Sequence, residues 1–289
     1  GYLAVAFDLK APTFRHTMYD AYKGTRKPMP EELHEQVPLM KEVLTAMGIP
    51  IFTREGYEAD DILGTVAKKA QAAGMEVTVV SGDRDLLQLS DAHIKISIPK
   101  TSRGTTEVHT YYPEDVKREY QVTPEQFIDV KALMGDTSDN IPGVPSIGEK
   151  TATNLILQFG SMGGVYEHLS EVKPPRAKKS LEEHRDLAEL SYKLAKICID
   201  APVEFSPEDA RIGDLYTKEA YEYMSRLEFK SLLARFGDHV KKEAAAALDF
   251  HAVTDLAVAE ALFQKAMGSG RTGAVLLAEG TEISGAALC

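Results

Sequence analysis

Cysteine is scarce in this sequence, and long apolar runs are missing from it. Its two cysteines, Cys198 and Cys289, lie far apart along the chain, which excludes a disulfide framework and a cysteine metal site. No apolar stretch approaches the roughly 20 residues of a membrane-spanning helix, and the first residues lack the basic and then apolar segments of a secretory signal. We therefore expect a soluble protein of a reducing compartment, with no membrane partner.

Positive charge is also in short supply. The chain has 33 lysines and arginines against 44 acidic residues, which gives a formal net charge of −11. A protein with this balance does not attract a polyanion over its whole surface, so binding to nucleic acid would depend on local basic patches. The candidates are the segment 15–27 and the lysines Lys150, Lys178 and Lys179.

The length of 289 residues predicts about two domains. Both ends of the chain lie within apolar patterns. The first residues, GYLAVAFD, are typical of a buried strand, and the last, GAVLLAEGTEISGAALC, form a second apolar run. We therefore expect the chain to be a fragment of a longer protein, truncated at both ends.

Strands and helices alternate in the N-terminal part. YLAVAFD, IPIFT and MEVTVVSGD have the apolar content of strands, whereas EQVPLMKEVLTAMG and DDILGTVAKKAQAAG have the apolar spacing of helices. This alternation predicts an α/β fold, with a mostly parallel sheet flanked by helices. After residue 110 the pattern becomes mainly helical.

Six carboxylates follow strands of the predicted sheet, at the edge where parallel sheets bind ligands. They are Asp8, Glu58, Asp60, Asp61, Asp83 and Asp85. A single acid at such a position is commonly structural, because it complements a helix dipole or makes an Asx-turn. Six acids at one edge repel one another, and cations are needed to neutralise them. Oxygen ligands without histidine or cysteine predict Mg²⁺ or Mn²⁺.

A second stretch, residues 129–160, combines acids with a hairpin signal: DVKALMGDTSDNIPGVPSIGEKTATNLILQFG. It adds Asp136 and Asp139, and then GVPSIG, which is followed by Lys150 and Thr151 at the start of a helix. Backbone N–H groups and a lysine in this arrangement favour an anion such as a DNA phosphate. An ordinary packing corner between two helices is the alternative interpretation.

Four segments resemble, in order and spacing, the 5′-nuclease domain of bacterial DNA polymerase I, a relative of the flap endonucleases. They are FDLKAPTFRHTMYDAYKGTRKPMP, GYEADDILGT, SGDRDLLQL and ALMGDTSDNIPGVPSIGEKTA. The resemblance covers about residues 1–238. It implies a flap-nuclease or PIN-like α/β fold with a helix–hairpin–helix subdomain. It also implies a bacterial cytoplasmic protein that hydrolyses DNA at 5′ ends, flaps, nicks and gaps during replication, RNA primer removal and repair.

The resemblance implies that eight carboxylates hold two divalent ions, Mg²⁺ or Mn²⁺. They are Asp8, Glu58, Asp60, Asp61, Asp83, Asp85, Asp136 and Asp139. With such ions present, the protein need not supply a nucleophilic side chain. Residues 14–30 resemble the family's arch over the 5′ end, and the implied catalytic cations of this arch-like segment are Arg15, Lys23 and Arg26. A solvated basic helix is the alternative for this segment.

For DNA binding, the resemblance implies residues of the arch-like segment and of the hairpin. They are Lys27, Tyr22, Gly143, Val144, Ser146, Ile147, Gly148, Lys150 and Thr151. Carbonyls around Val144 and Ile147 are expected to hold a K⁺ ion that bridges to a duplex phosphate. Tyr22 is expected to stack on an unpaired base.

The resemblance also divides the chain. Residues 1–110 are expected to form the nuclease core, 111–238 the helical subdomain and the end of the nuclease, 239–248 a linker, and 249–289 the start of a proofreading-exonuclease domain. The family's first strand, with one more metal-binding aspartate, would precede residue 1, so we expect impaired activity. Glu279 and Glu282 do not reproduce the Asp-x-Glu metal pair of active proofreading domains, so we expect that domain to be inactive. A polymerase domain would be the covalently linked partner.

Two other classes of function stay open. One is a non-catalytic module that binds DNA structures and uses its acids only to organise the fold. The other is a different Mg²⁺ enzyme, such as a phosphatase or a PIN-like ribonuclease. FDLKAPT lacks the D-x-D-x-T spacing of an aspartyl-phosphate phosphatase, and a ribonuclease of this type would not need the duplex-holding hairpin.

Overall fold

The computed structural model of the chain describes residues 1–102, 104–237, 240, 253–268, 274–279 and 282–288. These residues belong to two compact units, Gly1–Arg235 and Phe236–Cys289. Among the described helices, none is both long and apolar enough to cross a lipid bilayer. The predicted boundaries after residues 110, 238 and 248 stay predictions.

The described strands of the first unit fall into two groups. β1 (Val5–Ala6) pairs in parallel with β2 (Ile51–Phe52). β3 (Val77–Val80) pairs in parallel with β4 (Ile94–Ser102), and β4 pairs in antiparallel register with β5 (Thr105–Tyr111). The predicted α/β class, with parallel strands, is confirmed.

Helices flank these strands. α1 (Phe14–Met18) and α2 (Glu31–Ala46) follow β1, and α3 (Ala59–Ala72) connects β2 to β3. α3 buries Ile62 and Ala70 on its apolar side, as the helical spacing predicted. An apolar groove of about 350 Å³ lies between β1 and β3, and α3 forms part of its wall. The carboxyl ends of β1 and β3 and the start of α3 therefore border the same region.

The chain after β5 is mainly helical, as predicted. Its helices are α4 (Pro113–Tyr120), α5 (Pro124–Met134), α6 (Glu149–Phe159), α7 (Met162–Glu167), α8 (Pro175–Glu183), α9 (Arg185–Ala195), α10 (Lys218–Arg226) and α11 (Lys230–Leu233). α5 packs against both α6 and α9. A 3₁₀ helix, Arg84–Leu89, connects β3 to β4 and packs on α5.

One hydrophobic core joins the strands to the helical part. Leu86 and Leu87 of the 3₁₀ helix and Ile96 of β4 are fully buried, in the same cluster as Leu133 of α5 and Ile156 of α6. Each such side chain contributes on the order of 2 kcal/mol when it is buried. The core therefore fixes α5 against the strand ends that carry the predicted site.

The second unit contains α12 (Leu256–Gly268) and a hairpin of β6 (Ala274–Glu279) and β7 (Glu282–Leu288). Glu279 and Glu282 are paired at the end of this hairpin. The predicted linker, 239–248, lies outside the described residues except at Val240. The assignment of residues 249–289 to an inactive proofreading domain stays a prediction.

Candidate functional site

The ends of β1 and β3 and the start of α3 bring predicted ligands to one edge of the first unit. Asp8 lies two residues past β1, and its Oδ1 accepts the N–H of Ala59, the first residue of α3, at 2.7 Å. Asp83 follows β3, and its Oδ1 accepts the N–H of Asp85 at 2.8 Å. The connectivity of the α/β fold thus produces the acidic edge, as the sequence predicted.

A loop after α5 adds two more carboxylates. Asp136 is held by the N–H and the hydroxyl of Ser138, at 2.7 and 2.6 Å, and Asp136 and Ile141 exchange two backbone hydrogen bonds that close the loop. A cavity of about 420 Å³ opens beside this loop. The charged side chains that line it are Asp83, Arg84, Asp85, Lys131, Asp136 and Asp139.

Asp60 lies in the most negative part of the site. Its burial and the neighbouring carboxylates of Asp83, Asp8 and Glu58 raise its pKa to about 7. Within the described part of the chain, no lysine or arginine nitrogen lies within 4 Å of the carboxylates of Asp8, Asp60 or Asp83. In this half of the site the carboxylates have no direct ion pair with a basic side chain of the described residues, and Lys23 acts on Asp60 only from a distance.

The arch-like segment supplies cations to the other carboxylates. Lys23 Nζ lies 2.8 Å from Glu58 Oε1, and Arg26 pairs with Asp139. Lys23 N–H also donates to Asp139 O at 2.8 Å, which ties the segment to the loop after α5. Lys23 and Arg26 lie in a turn after α1, since α1 ends at Met18. A solvated basic helix therefore does not describe this segment.

Tyr22 lies between two predicted ligands. Its hydroxyl is within hydrogen-bonding distance of Glu58 Oε2, at 3.1 Å, and of Asp139 Oδ2, at 3.2 Å. The residue is only 3% exposed, and burial and the two carboxylates raise the pKa of its hydroxyl. This placement does not bring the Tyr22 ring to a surface where a base could stack, so we assign it to the positioning of Glu58 and Asp139.

Arg15 and Asp61 are brought together beneath the site. Asp61 has no exposed surface, and Arg15 is 3% exposed. Arg15 also donates to the backbone carbonyls of Leu194 and Lys196, at 2.8 and 2.9 Å. The pair therefore joins α1 and α3 to the segment that ends α9.

Lys131 is a site residue that the sequence analysis missed. It projects from α5 between Asp85 and Asp136, and its Nζ lies 2.5 Å from Asp136 Oδ2 and also pairs with Asp85. The side chains of Val130 and Ala132 on either side are buried. A lysine within a largely buried helix, five residues before a predicted ligand, is the signal that could have identified it.

The carboxylates do not form a ready-made cage. Within the described ranges, no three acidic, histidine or cysteine side chains converge closely enough to hold one metal ion. Lys23 and Arg26 pair with Glu58 and Asp139. Lys131 pairs with Asp85 and Asp136. The donor chemistry fits a hard divalent cation, because every candidate ligand is a carboxylate oxygen. Asp60 lies among like charges, and no basic side chain in the described part of the chain forms an ion pair with it.

The hairpin predicted to bind DNA lies between α5 and α6. Val144 and Ile147 are buried in the core, whereas Ser146, Gly148 and Lys150 are exposed and Thr151 is half-buried. Gly143 has φ of 61° and packs so closely on Gly135 that a Cβ would collide with the backbone there. Its N–H donates to Ser191 Oγ at 2.9 Å. The hairpin is thus a rigid loop with a short polar rim.

The hairpin and the acidic edge border a common depression. A cavity of about 450 Å³ is lined by Asp85, Lys131 and Asp136 and by Gly148 at the start of α6.

Lys27 lies beyond the turn of the arch-like segment and is exposed. Arg176 of α8 contributes a further cation, and its Nη2 donates to Ser146 Oγ at 3.0 Å. Basic side chains are therefore present near the hairpin despite the negative net charge.

Two adjoining segments of the chain match one enzyme family. Residues 1–121 match the 5′-3′ exonuclease N-terminal resolvase-like domain, and residues 122–218 match the 5′-3′ exonuclease C-terminal SAM fold. The first segment contains β1 to β5, and the second contains α5 to α9. The candidate site takes carboxylates from both segments.

Curated relatives are similar over most of this chain. DNA polymerase I of Bacillus caldotenax is 47% identical over 234 residues, which is 81% of this chain and 26% of that protein. DNA polymerase I of Bacillus subtilis strain 168 is 46% identical over 237 residues, 82% of this chain and 27% of that protein. The chain thus spans little more than a quarter of the length of these relatives.

Solved structures share the fold. A T5 5′-exonuclease with bound divalent metal ions (zinc) has a TM-score of 0.56 and 23% identity, and the match covers 84% of this chain and 81% of that one. The catalytic core of Rad2 in complex with DNA substrate has a TM-score of 0.52 and 15% identity, covering 76% of this chain and 72% of that one. With both family segments matched in order over residues 1–218, this chain belongs to the 5′-3′ exonuclease family.

Proposed function

We propose that the chain is the 5′-nuclease part of a bacterial DNA polymerase I, which hydrolyses phosphodiesters at 5′ ends, flaps and nicks of DNA. The relatives that match most of the chain are DNA polymerases I, and they are about 26–27% covered by it. The same proposal includes a covalently linked polymerase domain and a cytoplasmic location. It also includes a role in replication, RNA primer removal and repair.

The observation that carries the proposal is the placement of carboxylates from β1, α3, β3 and the loop after α5 around one acidic edge, beside the cations Lys23 and Arg26. We propose that this edge binds two divalent ions, Mg²⁺ or Mn²⁺. The residues that would hold them are Asp8, Glu58, Asp60, Asp83, Asp85, Asp136 and Asp139. Asp61 was predicted as an eighth ligand, and its bonds inside the fold favour a supporting role. The T5 5′-exonuclease with bound zinc supports the metal requirement.

When bound, such ions supply an activated water and neutralise charge on the phosphate. The protein's own groups at this edge then have two tasks. Lys23 and Arg26 lie at the rim, with side chains 22% and 49% exposed, and can contact the phosphates on either side of the scissile bond. The buried hydroxyl of Tyr22 orients the carboxylates of Glu58 and Asp139. The nucleophile need not come from a side chain, which agrees with a site that lacks serine–histidine or cysteine–histidine pairs among its described residues.

The hairpin holds the duplex in this proposal. Exposed Ser146, Gly148 and Lys150 form its rim, and the N-terminus of α6 directs N–H groups outwards for a phosphate. Carbonyls near Val144 and Ile147 are proposed to hold a K⁺ ion at the same phosphate. Lys27 and Thr151 would add contacts to the DNA backbone. These contacts position the duplex and carry no base sequence information.

Cleavage assays with three substrates test the proposal. The substrates are a 5′-flap DNA, a nicked duplex and a single-stranded RNA, each incubated with Mg²⁺ and with chelator. We expect Mg²⁺-dependent cleavage near the 5′ end of the two DNA substrates, and loss of cleavage in Asp60→Asn. Tight binding to flap DNA without cleavage would instead support a non-catalytic DNA-binding module, and preferred cleavage of the RNA would support a ribonuclease.

A further inference from the structure

Lys131 joins two predicted ligands that come from different parts of the fold. Asp85 lies in the 3₁₀ helix after β3, and Asp136 lies in the loop after α5. The ammonium of Lys131 contacts both carboxylates, and the three side chains are only 12%, 17% and 15% exposed. At this low exposure the ion pairs are screened less than at the surface, and the lysine offsets one of the two negative charges in this half of the site.

The other half of the site differs in this respect. Asp8, Asp60 and Asp83 have no lysine or arginine nitrogen within 4 Å in the described part of the chain. Asp8 and Asp83 have hydrogen bonds from backbone N–H groups only. The site is therefore electrostatically unequal, with one half open to an external cation and one half already paired with an internal one.

We propose that Lys131 is an internal counter-ion that makes the binding of two divalent ions stepwise. The first ion binds in the half formed by Asp8, Asp60 and Asp83. The second binds between Asp85 and Asp136 only when it displaces the Lys131 ammonium. This inference rests on the proposed divalent-metal function of the site, and it adds a residue that sets the affinity of the second step.

The displacement is sterically possible because of the surroundings of Lys131. The 420 Å³ cavity beside it is lined by Ser138 and Gly82 as well as by the acids, so the flexible stem can move without leaving the site. An ion that enters between Asp85 and Asp136 is attracted by both carboxylates. Its entry also breaks the ion pairs that Lys131 makes with them, and this loss weakens the net binding of the ion. Removing the positive charge at position 131 therefore strengthens the second step and leaves the first nearly unchanged.

The test is Mn²⁺ binding to the 289-residue chain, measured by isothermal titration calorimetry and by the loss of the free Mn²⁺ signal in electron paramagnetic resonance. Lys131→Met keeps the length of the apolar stem and removes the charge. Lys131→Arg keeps the charge. Lys117→Met, at an exposed lysine of α4, is the matched control for loss of one surface charge.

In the unmodified chain we expect two steps, with the second at least about tenfold weaker than the first. In Lys131→Met we expect the second step to tighten by about tenfold or more, with a change below about twofold in the first. Lys131→Arg and Lys117→Met should keep the weak second step. If Lys131→Met does not fold, as judged by circular dichroism, Lys131→Gln replaces it with the same expectation.

An unchanged or weaker second step in the folded Lys131→Met chain would overturn the inference and leave the proposed metal function standing. A single bound ion in both the unmodified chain and Lys131→Met would have the same meaning. No measurable Mn²⁺ binding by any of these chains would overturn the inference together with the proposed divalent-metal function.

Discussion

Arg15 and Asp61 are joined side by side by two hydrogen bonds, from Nη1 to Oδ2 at 2.7 Å and from Nη2 to Oδ1 at 2.8 Å. The same carboxylate accepts the backbone N–H of Glu58 at 3.0 Å and of Cys198 at 2.8 Å. Both oxygens of Asp61 are thus used inside the fold. The pair is best explained as a buried connection that holds Glu58 at the site, while the predicted ligand role of Asp61 and the predicted catalytic role of Arg15 stay predictions.

Asp61→Ala should therefore destabilise the protein strongly. The substitution leaves the Arg15 guanidinium buried without its partner, which typically costs about 3–5 kcal/mol. Urea unfolding measures the loss. Glu189→Ala is the control, because the Arg185–Glu189 pair is 65% and 51% exposed and such surface pairs contribute less than about 1 kcal/mol. If Asp61→Ala unfolds at the parental urea concentration but loses Mn²⁺ binding as Asp60→Ala does, then Asp61 is a ligand after all.

The acidic edge could be predicted from the sequence because connectivity alone determines it. Asp8, Asp83 and Asp85 follow strands, and the carboxyl ends of parallel strands meet at one edge of a sheet. The partners of these acids could not be predicted in this way. Arg15 and Asp61 are 46 positions apart, as are Lys131 and Asp85. Only the fold, which brings α1 to α3 and packs α5 on the 3₁₀ helix, places these partners together.

Tyr22 and the hairpin are two further features whose surroundings could not be predicted from the sequence. Alternation of basic and aromatic residues in the arch-like segment is compatible with an exposed, stacking tyrosine and with a buried one, and only the fold distinguishes them. The resemblance implies a DNA-binding role for both Gly143 and Gly148 of the hairpin. The structure separates them, because Gly143 is held against Gly135 inside the protein, whereas a Cβ at Gly148 would meet no atom within 4 Å.

The stability of the metal-free protein should fall as the pH rises from about 4 to above 7. Burial and three acidic neighbours raise the pKa of Asp60 to about 7 in the folded state, and an unfolded aspartate has a pKa of about 3.9. A raised folded pKa means that the folded state holds its proton more tightly, so Asp60 contributes stability at low pH that is lost as the pH passes through 7. We expect a loss on the order of 2 kcal/mol, since Asp60 is only partly buried.

Urea unfolding with chelator at pH 5, 6, 7 and 8 measures this loss. Asp60→Asn should remove most of the slope, because asparagine does not titrate. The contribution of Asp136 to the free energy of unfolding changes with pH in the opposite direction and at lower pH. Burial works against it, but hydrogen bonds from Lys131 and Ser138 lower the pKa of Asp136 to about 2, so its contribution is lost only below about pH 4. An equal slope in Asp60→Asn and the unmodified chain would contradict the assignment.

The two hairpin glycines should respond differently to substitution. Gly143→Ala places a Cβ against the Gly135 backbone at a positive φ, so we expect it to destabilise the protein by more than about 2 kcal/mol. Gly148→Val fits without a clash and should fold normally. If a duplex phosphate approaches the backbone at Gly148, the valine should weaken duplex affinity at least about tenfold, or roughly 1.4 kcal/mol, and leave Mn²⁺ affinity unchanged. Thermal unfolding and duplex binding in Ca²⁺ measure the two effects, and parental duplex affinity in folded Gly148→Val would exclude close approach there.

Lys23→Ala and Arg26→Ala should slow cleavage more than they weaken binding. In the structure their cationic groups contact Glu58 and Asp139, next to the position proposed for the scissile phosphate. Each substitution removes positive charge where negative charge develops in the transition state, so we expect at least about a tenfold slower single-turnover cleavage of a 5′-flap DNA, or roughly 1.4 kcal/mol.

Affinity for the same flap, measured in Ca²⁺ across a salt series, provides the second half of this test. Because the hairpin still holds the duplex, each substitution should reduce affinity by less than the cleavage rate. The slope of log affinity against log salt should fall by about 0.9 for each phosphate contact removed. Lys117→Ala, which changes an exposed lysine of α4, should alter neither quantity. If both variants cleave at the parental rate with unchanged salt slopes, Lys23 and Arg26 serve only to neutralise Glu58 and Asp139, and the substrate's phosphates are held by other residues.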